Sequence, residues 1–144
     1  MTSFKFTLLS AVLLSVSLIS QQAYAELAVI AHPDNALMGL SRDELRDIYL
    51  GKARSFPGGG RVEAVDQSAG SVARDKFNKD VLKMSESQRK SHWSRLTFTG
   101  KGKPPRSLAS DEEILDWVAG QPHGVGYIQG SKVNKRVKVL LILP

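Results

Sequence analysis

The sequence has no cysteine among its 144 residues. That excludes a disulfide scaffold, a thiolate zinc site, an iron–sulfur cluster and a cysteine nucleophile. It also excludes a lipid anchor attached through cysteine. Long apolar runs are absent too. Phe6 to Ile19 falls short of the roughly 20 residues that span a bilayer, and Val137 to Leu143 is interrupted by Lys138. No internal repeat or flexible linker divides the chain, and the three glycines at 58–60 read as a turn. Acidic residues are the scarcer charge, 14 against 20 basic ones, which leaves a net charge of +6. With 42% hydrophobic residues the composition is ordinary. Collagen-like and wholly disordered classes fall away, and the length suits one domain.

What is present begins with a secretory pattern. Lys5 precedes the apolar run, and the small-x-small end Ala23-Tyr24-Ala25 follows it. This order predicts a signal peptide over residues 1–25, cleaved after Ala25. Residues 26–144 then form the mature domain, exported to the periplasm and not a lipoprotein.

Export changes the meaning of the basic charge. A pI near 9.7 would suggest nucleic acid in a cytosolic chain. In an exported one it suits a solvated surface, an anionic envelope surface, an acidic protein partner or the steering of a small anion. The cations group at Lys101, Lys103 and Arg106, and again at Lys132, Lys135, Arg136 and Lys138. The first group sits in the segment KGKPPR, read as a solvated loop or a partner contact.

Strand and helix signals alternate along the mature chain. LAVIA at 27–31 reads as a buried strand stopped by His32-Pro33. Ser41 and Glu44 form a capping box for a helix that Gly51 ends. Residues 62–65 alternate as a strand, and a helix starts near Ser71 with Phe77 and Val81 on one side. Ser85 with Gln88, and Ser110 with Glu113, predict two further capped helices. GVGYI at 124–128 and the run 137–142 read as strands, with 98–106 as a loop. Trp93 and Trp117 are expected in or near the core. The pattern is α/β with at least two strand–helix–strand crossovers.

The chemistry-bearing stretch is Val65-Asp66-Gln67-Ser68-Ala69-Gly70-Ser71, between a strand and a helix N-terminus. Unpaired amides and the helix dipole make such a turn suited to an anion. Ser71 can donate its hydroxyl to an oxyanion or cap its own helix. Other constellations are weaker. His32, Asp34 and His123 would meet if the first strand lies beside 124–128, and could then hold zinc, although their spacing matches no metal motif. His92, beside Trp93, reads as a surface or helix-packing residue. Ser71 lacks the Gly-x-Ser-x-Gly elbow of a hydrolase, and no paired acid and base stands out. No cofactor is implied.

Three segments resemble, in order, the periplasmic receptors of phosphate ABC transporters. They are GLSRDELRDIYLGKARSF, VEAVDQSAGSVARDKF and QPHGVGYI. The family's helix start is Ser-Gly-Thr-Arg-x-x-Phe, four residues after an arginine. Here Ser71, Arg74 and Phe77 match, while Val72 replaces the glycine, Ala73 the threonine and Gln67 the arginine. The resemblance implies a single lobe of the type 2 periplasmic binding fold, a central sheet flanked by helices. It implies an anion site at Ser71 with the backbone of Val72 and Ala73, supported by Gln67 and Arg74.

The family's receptors are two-lobed clamshells, and the matched segments belong to one lobe. The first reading is therefore a non-enzymatic solute-binding-like protein taking phosphate or another small oxyanion weakly. A membrane transporter is its partner, or a second copy completes the cleft as a homodimer. The alternative is an envelope interaction or signalling module that has lost ligand binding. A metal-dependent enzyme at His32 and His123 is the third.

Overall fold

A computed structural model describes residues 26–144. The expected signal peptide lies outside the described residues. Among the described residues there are five strands and four α-helices. They run β1 (Leu27–Ala31), α1 (Arg42–Tyr49), β2 (Glu63–Gln67), α2 (Val72–Phe77), α3 (Glu86–Phe98), β3 (Arg106–Leu108), α4 (Asp111–Ala119), β4 (Gly124–Gln129) and β5 (Lys138–Leu143). A π-helical segment, Asn78–Leu82, continues α2, and a short 3₁₀ turn, Gly130–Lys132, follows β4.

The strands form one sheet in the order β3-β2-β4-β1-β5. β2 pairs in parallel with β3 and β4, whereas β1 is antiparallel to β4 and β5. Parallel neighbours require crossovers, which the segments through α2–α3 and through α4 supply.

Both faces of the sheet are covered, so its inner strands read as continuous apolar runs. Every residue of β1 is buried. Alternation along it sends Leu27, Val29 and Ala31 to a core shared with Leu45, Tyr49, Phe77 and Leu82. Ala28 and Ile30 go to the opposite core with Ile114, Leu115 and Val118 of α4. β4 comes close to its coverings: a Cβ on Gly126 would stand 2.8 Å from Ile114 Cγ2, and one on Gly124 would stand 2.7 Å from Trp117.

The caps behave as the sequence predicts at α1 and α3. Ser41 Oγ accepts from the Glu44 amide while Glu44 accepts from the Ser41 amide, and Ser85 with Gln88 does the same. The box at α4 is only half formed. Ser110 Oγ accepts from the Glu113 amide, but Glu113 reaches back to the Ala109 amide instead of Ser110. The loop expected through residue 106 also differs, because Arg106–Leu108 forms an edge strand on β2.

Candidate functional site

The candidate turn links the end of β2 to the start of α2. Gly70 takes φ +86°, a left-handed conformation that glycine adopts without strain. The Ser71 amide donates back to Ser68 O at 3.1 Å and closes the turn. Ser71 is the N-cap, and its Oγ accepts from the Arg74 amide at 3.2 Å. Its hydroxyl hydrogen is thereby left to donate elsewhere. Val72 and Ala73 occupy the first two helical positions, where the amides have no carbonyl one turn earlier to bond. The Val72 side chain is 72% exposed, and Ala73 packs against the core.

The two side chains expected to support an anion are both bonded within the protein. Gln67 is only 4% exposed. Its Nε2 donates to Asp111 Oδ1 at 2.6 Å and to Tyr127 O at 2.9 Å. The Arg74 guanidinium is bonded at all three nitrogens. Nε and NH2 form a fork on Glu86 at 3.0 and 2.6 Å, and NH1 donates to Gln67 O at 3.0 Å and Ser107 Oγ at 3.2 Å. The structure therefore brings Gln67, Ser71, Val72, Ala73 and Arg74 into one turn. Ser71, Val72 and Ala73 keep donors uncommitted, and Arg74 keeps one, the second N–H of NH2.

Behind the turn lies a buried polar network. Asp66 accepts from Arg89 at Oδ2, and from the Tyr127 hydroxyl and the Gln67 amide at Oδ1. Arg89 also donates to Asn78 Oδ1 at 2.8 Å, and Asn78 donates to Glu86 Oε2 at 2.7 Å. Two guanidiniums thus meet two carboxylates, so the cluster is balanced internally. Phe77 stacks on Tyr127 with ring centroids 4.0 Å apart, and Tyr49 stands tilted against Phe77. The Tyr49 hydroxyl donates to Val65 O at 2.7 Å.

Burial shapes the titration of these groups. It pushes both tyrosine hydroxyls well above their ordinary range, so they remain protonated donors. It draws Arg89 down from its ordinary value, though neighbouring hydroxyls oppose this. Burial also tends to raise Glu86, but the hydrogen bonds from Arg74 and Asn78 outweigh it and hold the carboxyl below its usual value.

Asp66, Asn78, Glu86, Arg89 and Tyr127 were not legible as a cluster. One signal was present. Arg89 precedes Trp93 by four residues, so both fall on one face of α3, and both are buried. A cation on a buried face calls for a carboxylate inside.

The histidine grouping is not assembled into a site. β1 and β4 are neighbours, with Ala31 opposite Val125. His32 Nδ1, however, accepts from the Asp34 amide at 3.1 Å. Among the described residues no cluster of three His, Asp or Glu side chains is placed to hold a metal ion. His92 packs as a helix-contact residue, 2.8 Å from Leu50 O.

Neither a family model nor a curated protein matches the sequence. Solved structures do match the fold. A phosphate ABC transporter substrate-binding protein from Clostridium perfringens, solved with bound phosphate, is 25% identical with a TM-score of 0.63. An ABC-type phosphate transport receptor from Vibrio cholerae is 20% identical, also at 0.63, and PstS from Borrelia burgdorferi is 13% identical at 0.61. Each alignment covers 81% of this chain but 45%, 46% and 47% of the respective structure. The chain spans less than half the length of these structures. The motif resemblance and the fold agree: this is a mixed α/β unit similar to one part of a phosphate-receptor fold.

Proposed function

We propose that the protein is a non-enzymatic, receptor-like binding protein that takes a small oxyanion weakly at the turn Gln67–Arg74. The observation that carries this is the commitment of Arg74. Four of the five N–H groups of its guanidinium are bonded within the protein, so the turn presents mainly neutral donors. These are the Ser71 hydroxyl and the amides of Val72 and Ala73. Neutral hydrogen bonds contribute about 0.5–1.5 kcal/mol each, against about 1.5–3 kcal/mol for charged ones. Three of the former sum to about 1.5–4.5 kcal/mol, which corresponds to a dissociation constant on the order of millimolar or weaker.

The sequence pattern supports export through a signal peptide at 1–25 and residence of residues 26–144 in the periplasm, without a lipid anchor. The solved neighbours include a phosphate-bound substrate-binding protein and a transport receptor, which supports phosphate as the first anion to test and a membrane transporter as a partner. A second copy of the chain is the simplest source of the remaining ligand contacts, as a homodimer closing over the turn.

Val72 favours a second reading. This apolar side chain stands 72% exposed where the family has glycine, and it suits contact with an envelope protein better than close approach of an anion. Isothermal titration with phosphate, sulfate and small carboxylates distinguishes the two. Weak saturable heat for an oxyanion, with a rise in melting temperature, supports the first. No heat and no thermal shift for any of them leaves the interaction module.

A further inference from the structure

A second charged feature lies at the other end of β2. There a surface groove of about 770 Å³ runs past Glu63–Val65, and its walls come from the 51–54 segment, α3 and the 101–106 segment. Five basic side chains line it, Arg54, Arg61, Lys101, Lys103 and Arg106, against one carboxylate, Glu63. Glu63 is already shared with Arg61 at 3.9 Å. Among the described residues the other four cations form no ion pair. Elsewhere Arg74, Lys76, Arg89, Lys132 and Arg136 are each paired with a carboxylate, while other described cations such as Lys52 and Lys90 are unpaired and lie outside the groove. Five cations against one carboxylate leave the groove lining with an excess of four positive charges.

The groove is built. Arg54 NH2 donates to Lys101 O at 2.9 Å and ties the basic segment to the loop that follows α1. Gly102 lies close to Trp93, where an added Cβ would stand 3.5 Å from the ring. Trp93 and Trp117 both line the groove, and they are the chain's only tryptophans. The turn Gln67–Arg74 begins where β2 ends, two strand residues or about 7 Å beyond Val65 of the groove lining. The groove and the turn have no lining residue in common.

We propose that this groove binds a soluble molecule carrying two or more linked phosphate groups. Four unpaired cations around a volume this small repel one another, and a compact polyanion relieves that repulsion. Linked phosphates bring several charges and many acceptor oxygens within one short chain. The mixed donor set suits them, because guanidinium forks grip two oxygens at once while ammonium groups act as mobile point charges. Single carboxylates offer one charge per group and match four cations poorly.

The test titrates tripolyphosphate into the full chain and reads tryptophan fluorescence, since both reporters line the groove. A saturable change is expected, weakening as salt rises. The double variant Lys101→Ala with Lys103→Ala changes exposed residues, and an unchanged melting temperature checks its fold. It should weaken binding at least tenfold, whereas Lys135→Ala, which removes an exposed cation outside the groove lining, should leave it unaltered. The proposal is overturned by no saturable change, by an unaltered affinity in the folded double variant, or by equal affinity for hexaglutamate at matched ionic strength. A response confined to phosphatidylcholine vesicles containing phosphatidic acid also overturns it, because the groove then serves a membrane surface.

Discussion

Arg89 of α3 and Asp66 of β2 form an ion pair that neither residue exposes to solvent, at 2% and 0% exposure. It joins the helix that follows the π segment to the strand that feeds the candidate turn. Removing one partner of such a pair strands the other, which costs about 3–5 kcal/mol. Arg89→Met should therefore lower the unfolding free energy in denaturant by about that amount. Asp66→Leu combined with Arg89→Met should cost less than the two single changes summed. An additive double variant would contradict a paired network.

Ser71 fastens the start of α2 through its bond to the Arg74 amide. Ser71→Ala should destabilise the protein by about 1 kcal/mol, the usual loss for an N-cap. Ser71→Asp keeps the acceptor and should retain stability, yet its negative charge should repel an oxyanion. Stability and oxyanion binding then part company in one variant, measured by denaturant unfolding and calorimetry.

Gly126 lies where β4 meets α4, with Ile114 Cγ2 at 2.8 Å and Val65 Cγ2 at 3.2 Å from an added Cβ. Both neighbours are β-branched and stiff. Gly126→Ala should force α4 away from the sheet and cost about 1–3 kcal/mol. Because Tyr127 and the Gln67–Tyr127 bond follow directly in the chain, the variant should also loosen the turn, seen as faster amide exchange at residues 68–73.

Glu86 carries the acid sensitivity of the Arg74 fork. Its carboxyl is held below its ordinary value of 4.5 in the folded protein. A carboxylate with a depressed pKa stabilises the fold while ionised. Its contribution is fully present above pH 4.5 and is lost as the pH falls through the lower folded value. Glu86→Gln should flatten the acid side of the melting-temperature profile. Parallel profiles for the two proteins would show that the fork is inconsequential for stability.

The legible parts of the fold are those set by neighbours in sequence. Ser41 with Glu44 and Ser85 with Gln88 bond three residues apart, and β1 and β4 are apolar because both sheet faces are covered. β3 was not legible. Its three residues follow Pro104-Pro105 and gain strand character only by pairing with β2, some forty positions earlier. The half-formed box at α4 has a similar cause: Glu113 has a choice of two amides, Ala109 and Ser110, and local spacing does not decide between them.

The candidate site divides in the same way. Gln67, Ser71, Val72, Ala73 and Arg74 are grouped by the chain itself. Gln67, however, is drawn inward by Asp111, 44 positions away, and Arg74 is neutralised by Glu86, 12 positions away. Those partners come from α4 and α3, and their reach is a property of the packed structure. The sequence located the turn; packing decided that it offers mainly neutral donors.

Backbone amide spectra during a phosphate titration test that conclusion most directly. Residue-resolved nitrogen–proton correlation spectra of the full chain should show progressive shifts at Ser71, Val72 and Ala73, in fast exchange and half-complete at a phosphate concentration on the order of millimolar. The side-chain signals of Arg74 and Gln67 should stay in place. Saturation at micromolar phosphate with the Arg74 guanidinium signals moving, or no shift at these three amides, would contradict the account.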